Sequence, residues 1–455
     1  MKIINPATEE IIQDVKEDTR ETLDKKLQHL KAAQPSWARK SLNERIEVIR
    51  KFEKLLEQDI EKLAGILTSE VGKPLQQSRN EVNGARSRIQ WLADHALQYL
   101  SDEVMSSDAS MTEKISYEPL GVVGNISAWN YPYLVGTNVF VPALLAGNAV
   151  LYKPSEYSTL TGLEIERLLK LAGVPDDIFA IALGGKDAGE CMLEMPLDGY
   201  FFTGSYKTGK HIYEKVAHKM VPCQCELGGK DPLYVADDVI DIKSVAAGTA
   251  DGAFYNNGQS CCAVERIYVH EKIYDQYVEE FVKEVKGFKT GSPTEAGVYI
   301  GPLTRKSQMN LMEEQVEEAV KYGATLHTGG KRMDGKGYYF EPTVLSEVTH
   351  QMGVMVDESF GPIIGIMKVK DDAQAIEMMS DTEYGLTAAV YTKEKDRAES
   401  ILKAVDSGTG YWNCCDRVSA ALPWSGRKHS GFGATLSHSG LRAFTKPKAF
   451  HLRSK

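Results

Sequence analysis

The stretch FYNNGQSCCA at 254–263 sets two thiols, Cys261 and Cys262, side by side behind an Asn-Asn-Gly-Gln turn. A free thiol is ionised only to a few per cent near neutral pH, so a nucleophilic cysteine needs a helix N-terminus, a nearby cation or a base. Asn-Gly permits positive φ, and the apolar residues that follow carry the chain into a strand. On these grounds alone either sulfur is a nucleophile, a metal ligand, half of a disulfide or a small core residue.

The remaining cysteines narrow the choice. There are seven in 455 residues: Cys191, Cys223, Cys225, Cys261, Cys262, Cys414 and Cys415. An odd, sparse set without a charged and apolar leader in MKIINPATEE points to free thiols in a reducing compartment, with a cytoplasmic location expected. One Cys-x-Cys and two Cys-Cys pairs lack the spacing of a zinc knuckle, and no His-x-x-x-His accompanies them.

Three other places carry residue types suited to chemistry. CELGGKDP at 225–232 ends an apolar run on Glu226 and follows it with two glycines, which let backbone come close to a ligand. SAWNYP at 127–132 puts Trp129 and Asn130 at the C-terminal end of a predicted strand, where open α/β sheets bind ligands and where the Asn amide can donate to an oxyanion. LYKPSE at 151–156 and FTGSYKTG at 202–209 both lead from strands into helices, whose N-termini attract phosphate, although neither has the Gly-x-Gly-x-x-Gly or Walker order. Each piece also has a plain reading as a strand end or turn.

The elements that must position these residues change in rhythm along the chain. From Lys16 to about Leu100 apolar residues recur at three-and-four spacing, as in RIEVIRKFEKLLEQDIEKLAGIL, which predicts helices. From Gly121 short β-rich runs alternate with helices, and a second series of the same kind follows Asp231, predicting two α/β domains with parallel sheets. DEVMSSDASMTEKISYEP at 102–119 is polar with short alternation and resembles a projecting hairpin. A net charge of -10 argues against nucleic acid or an anionic membrane surface as the main partner. The apolar stretch Val135–Leu151, broken by Asn138, Pro142 and Asn148, is too short for a membrane span and reads as a buried helix and strand.

Taken in order along the chain, AWNYP, KPSE, FTGS, ELGGK, FYNNGQSC, ESFGP (358–362) and PWSGRKHSGFG (423–433) resemble the motifs of the aldehyde dehydrogenase superfamily, and the resemblance runs through nearly the whole chain. It implies two tandem Rossmann-like domains with a small β arm for oligomerisation. The expected boundaries are 1–102 with 120–228 for NAD binding, 229–434 for catalysis, and 103–119 with 435–455 for the arm. The family pattern Gly-Gln-x-Cys makes Cys261 the nucleophile and Cys262 its neighbour. It further implies an oxyanion held by the Asn130 amide and the Cys261 N–H, and Glu226 as the base that activates water to hydrolyse a thioester. Trp129, Lys153, Glu156, Gly204, Ser205, Glu358 and Phe360 match the cofactor positions. NAD is favoured over NADP because a carboxylate on the ribose hydroxyls repels a 2′-phosphate. No metal is required.

The substrate is a small aldehyde whose identity the resemblance leaves open. Family members that act on succinic semialdehyde grip its carboxylate with arginines, and Asn138 and Tyr255 stand at those places; Arg417 is an alternative. Tyr131, Tyr255 and Trp424 match three places of the aromatic box used for betaine aldehyde, favouring a cation by about 0.5–2 kcal/mol per ring. The same rings suit an apolar aldehyde. The usual Arg-Glu-Leu-Gly after the C-terminal Ser-Gly-x-Gly is replaced by ATLSH, and the longer N-terminal extension of some relatives is missing. A homodimer or a dimer of dimers is expected. A cysteine hydrolase and a non-catalytic binding protein on the same fold are the rival classes.

Overall fold

The computed structural model describes residues 1–454; the last residue of the expected arm, 455, lies outside them. Four helices occupy the N-terminal region: Arg20–Ala38, Leu42–Gln58, Ile60–Val71 and Leu75–Leu100. The second shows why such segments fold as they do. Ser41 accepts from the Glu44 N–H while Glu44 accepts from the Ser41 N–H, a reciprocal cap, and Ile46, Ile49, Phe52 and Leu56 form its buried stripe. Ahead of these helices, Lys2–Ile4 and Ile11–Asp14 form a two-stranded ribbon that the helical periodicity gave no sign of.

The first sheet runs, edge to edge, Gly431–Phe432, Cys223–Leu227, Gly199–Gly204, Val122–Ile126, Ala149–Lys153 and Phe179–Ile181. All neighbours are parallel except the first pair. Chain order reverses between Val122–Ile126 and Gly199–Gly204, and a crevice at the C-terminal ends of strands at such a switch point is where doubly wound sheets bind ligands. The second sheet runs Thr325–Thr328, Thr343–Ser346, Ile363–Val369, Val264–His270, Asp231–Val235, Thr387–Tyr391 and Thr409–Trp412, parallel but for its first pair. Its inner strands are buried along their length, so they read as continuous apolar runs.

The two sheets contribute from opposite strand ends. The first offers the C-terminal ends of its strands, while Cys261, three residues before Val264–His270, and Glu358–Phe360, just before Ile363–Val369, come from where strands of the second begin. Met111–Pro119 pairs with Glu103–Ser107 and, along its full length, with Thr445–Arg453, giving a separate three-stranded arm. Between the second sheet and the arm, residues 431–444 return to the first body: Phe432 pairs with Cys225, and Leu441 and Phe444 join the first core. The break expected after 434 therefore falls within a segment already packed on that first body.

Candidate active site

The turn that presents the thiol is left-handed over three successive residues, with φ of 54° at Asn256, 58° at Asn257 and 67° at Gly258. Asn tolerates that region, and Gly258 is required there, since a Cβ would lie 2.3 Å from the Gly361 carbonyl oxygen. Both asparagines are pinned. Asn257 donates to the Gly301 and Pro302 carbonyls at 2.8 and 2.9 Å, and Asn256 donates to the Asn130 carbonyl at 3.2 Å. Gln259 accepts from the Thr304 N–H at 3.0 Å. A turn held this firmly fixes where Cys261 points.

Two cavities meet at that sulfur. One, of about 550 Å³, lies between the sheets and is lined by Asn130, Glu226 and Cys261 together with all seven sequence-assigned cofactor residues, from Trp129 to Phe360. The other, of about 190 Å³, is lined by Tyr131, Tyr255 and Trp424. Cys261, Glu226, Thr203 and Leu227 line both. The Asn130 amide donates to the Gln259 carbonyl at 3.2 Å, beside the cysteine loop, and among the described residues the Cys261 backbone N–H donates to no protein group.

Glu226 is the penultimate residue of Cys223–Leu227 and is buried. Burial pushes its carboxyl up to about 7, against the opposing effects of a hydrogen bond from the Thr435 hydroxyl and the nearby Arg88 guanidinium. A carboxyl titrating near neutrality is suited to proton transfer. Cys262 differs from its neighbour. Its thiol lies 3.0 Å from Asp416 Oδ1 and is pushed well up by its contact with Cys261 and by burial, so it stays protonated. All seven cysteines are free thiols.

The larger cavity has the features a dinucleotide needs. Lys153 is buried, yet among the described residues its ammonium makes one bond, of 3.4 Å, to the Pro154 carbonyl, and burial lowers its pKa. Such a group is unsatisfied until acceptors such as ribose hydroxyls arrive. The helix Tyr206–Val216 opens behind Ser205, and Lys186–Glu194 opens behind Gly185 with no side-chain cap, so the orphan N–H groups of both lie at the cavity wall. On the far side Glu358 accepts from the Gly229 N–H at 3.1 Å, and a Cβ on Gly228 would sit 2.0 Å from its Oε1. Burial and the neighbouring Glu265 raise Glu358 to about 8. Glu265 in turn accepts from the N–H groups of Ser359 and Phe360 at 2.8 and 3.0 Å and pairs with Lys230 at 2.6 Å, fixing the loop. Phe360 meets Trp129 edge to face at 5.5 Å.

Sequence reasoning missed several residues here. Arg88 and Asp416 line the smaller cavity, Arg305 and Gln308 the larger, and Thr435 holds Glu226. Arg88 had a signal: with Glu81, Ala85 and Leu92 it continues one helix face at three-and-four spacing, a charge on an otherwise inward stripe. Arg417, the arginine weighed from the sequence, is exposed and lines neither cavity.

A cysteine shared by a large cleft and a small pocket, with a buried carboxyl beside it, is an arrangement that suits an oxidoreductase with two substrates. The Aldehyde dehydrogenase family matches residues 1–450. The pea (Pisum sativum) peroxisomal aminoaldehyde dehydrogenase 1 is 34% identical over 457 residues, 98% of this chain and 91% of that protein. The structure of 3,6-anhydro-L-galactose dehydrogenase in complex with NAP superposes with a TM-score of 0.95 at 33% identity, covering 99% of this chain and 96% of that one. Betaine aldehyde dehydrogenase from Staphylococcus aureus in complex with NAD+ gives 0.94 at 30% identity, covering 99% and 91%. The chain belongs to the aldehyde dehydrogenase family and is an NAD(P)-dependent enzyme that oxidises an aldehyde to the acid. Among the described residues no helix is long and apolar enough to cross a membrane.

Proposed function

We propose that Cys261 attacks the aldehyde carbonyl and that Glu226 later activates the water that releases the acid. The observation that carries this reading is that Cys261 lines both cavities, so that a substrate held in the small one and a nicotinamide held in the large one would meet at this residue. Addition of the sulfur gives a thiohemiacetal. Its oxyanion lies within the reach of the Asn130 amide and the unpaired Cys261 N–H, donors of a kind whose single loss typically costs ~10²–10³ in rate. A nicotinamide held in the larger cavity would supply the acceptor for the hydride that leaves this carbon. A thioester on Cys261 remains, and Glu226 takes a proton from water as it attacks. The thiolate departs readily, which suits both addition and release.

Lys153 and Glu156 would hold the ribose hydroxyls, Gly204 and Ser205 the pyrophosphate, and Glu358 with Phe360 the nicotinamide ribose. The Glu156 carboxylate supports NAD over NADP. Free thiols suit a reducing compartment such as the cytoplasm. The arm, with Val104, Met105 and Leu452 exposed on it, supports a homodimer or a dimer of dimers, a state that light scattering would read. Residues 1–102 and 120–228 would bind the dinucleotide and 229 onward would carry the nucleophile.

Stopped-flow measurement of NADH tests the reading. Cys261→Ala should form no NADH from any aldehyde. Glu226→Gln should give a burst of about one NADH per site and then stall; equal loss of burst and steady rate would remove Glu226 from the hydrolytic step.

A further inference from the structure

The smaller cavity contains a guanidinium with no ion-pair partner among the described residues, although the Glu226 carboxyl on the same cavity wall lies near enough to interact with it. Arg88 projects from Leu75–Leu100, and its one side-chain hydrogen bond among the described residues goes from Nη1 to Asn138 Oδ1 at 3.0 Å. It forms no ion pair among those residues. An arginine carries five N–H donors in a planar fork and stays charged, and a half-buried guanidinium held by a neutral amide leaves most of those donors free for a ligand. It lines the same 190 Å³ cavity as the Cys261 thiol. The geometry points to a ligand group that completes the fork, and a carboxylate fits it bidentately.

The aromatic residues of this cavity are partly engaged already. Lys73 places its ammonium 3.7 Å from the Tyr131 ring centroid, and the Tyr255 hydroxyl accepts from Asn80 at 3.1 Å. Two acids face the cavity, Glu226, which accepts from the Thr435 hydroxyl, and Asp416, which is bound by the Cys262 thiol, and burial brings each up to about 7. The pocket thus offers a ready partner for an anion and little for a cation.

We infer that Arg88, braced by Asn138, selects aldehydes bearing a carboxylate over neutral or ammonium-bearing ones of equal length. The inference rests on Cys261 being the nucleophile and adds the substrate class. The guanidinium enters from the helix before the arm hairpin, whereas Asn138 and Tyr255 occupy the places that the family resemblance gives to carboxylate-gripping arginines.

The test compares NADH formation by the full-length enzyme from succinic semialdehyde, butanal and 3-aminopropanal. Intact protein should prefer succinic semialdehyde. Arg88→Met should lose about 100-fold in kcat/KM for it, chiefly through KM, with Arg88→Lys recovering part. Asn138→Asp, which sets a carboxylate against the guanidinium, should produce the same selective loss. Butanal turnover reports that each variant is folded. Equal use of the three aldehydes by intact protein, or a loss of kcat/KM in Arg88→Met that is the same for all three, overturns the selectivity role; a shared fall in kcat alone reports the effect of the guanidinium on Glu226. Absence of NADH from every aldehyde overturns the nucleophile reading, and this inference with it.

Discussion

The Thr435 hydroxyl donates to Oε1 of Glu226, joining two segments that the chain separates by more than two hundred residues. The contact exists because Gly431–Phe432 lies antiparallel against Cys223–Leu227, with Gly431 opposite Glu226. Thr435 is the second residue of the ATLSH stretch that replaces the family's usual Arg-Glu-Leu-Gly. A donor to a carboxylate favours its charged form, and it lowers the Glu226 pKa against the dominant effect of burial. Thr435→Val should therefore raise that pKa above 7. The rising limb of steady-state kcat against pH should move to higher pH, and kcat at pH 7 should fall roughly 3- to 10-fold, as loss of a hydrogen bond to a charged group implies. The NADH burst should persist. A limb that stays in place would mean that the hydroxyl does not act on the base.

Cys262 offers a contrast between adjacent thiols. It is buried with Leu386, Trp424 and Leu436, and its proton is held by the contacts with Cys261 and Asp416. Cys262→Ala should retain the burst of NADH and cost about 1–2 kcal/mol of stability through the small void left in that cluster. Iodoacetamide should still label one fast-reacting thiol per chain, at Cys261. A labelled Cys262, or a lost burst, would reverse the assignment of attacker and neighbour.

Glu156 accepts from Ser155 at 3.3 Å and lines the cleft with Lys153, and the proposed ribose-binding role would make it the residue that selects between dinucleotides. Replacing the carboxylate by a neutral group removes the repulsion of a 2′-phosphate while leaving the lysine to attract it. Glu156→Ser should shift the ratio of kcat/KM for NADP over NAD upward by roughly 10- to 100-fold, mainly through KM. An unchanged ratio would move the ribose-binding role elsewhere on the cleft wall.

Local patterns carry the fold further than the site. The alternation from Gly121 and again after Asp231 predicts the two parallel sheets, whereas Cys261, Glu226 and Asn130 each have a plain reading as turn or strand end and are assigned through the family resemblance. What escaped depends on contacts between distant segments. Thr435 looks like an ordinary helix-entry residue until Gly431–Phe432 joins the first sheet. Asp416 follows two cysteines in a loop and gains meaning only where it meets Cys262. The helical pattern around Arg88 was visible, but which charge on a long amphipathic helix turns inward is decided by the neighbouring helix Pro132–Leu145, which brings Asn138 to it.

Gly228 tests whether the loop carrying Glu358 is set by the glycines after Glu226. A Cβ there would lie 2.0 Å from Glu358 Oε1, too close for either group to remain, and the side chain of Glu358 is the more easily moved. Gly228→Ala should thus displace Glu358 from the Gly229 N–H and raise KM for NAD by roughly 10-fold or more, since a ligand-holding carboxylate is lost. The thiol lies on a separate turn pinned by Asn256, Asn257 and Gln259, so ester cleavage without nicotinamide should change little. If ester cleavage collapses together with NAD affinity, the two halves of the site are not independently held. A protein that keeps its thiol reactivity while losing the dinucleotide would show that the first glycine of the pair guards the cofactor side, and that Glu226 is positioned by its strand.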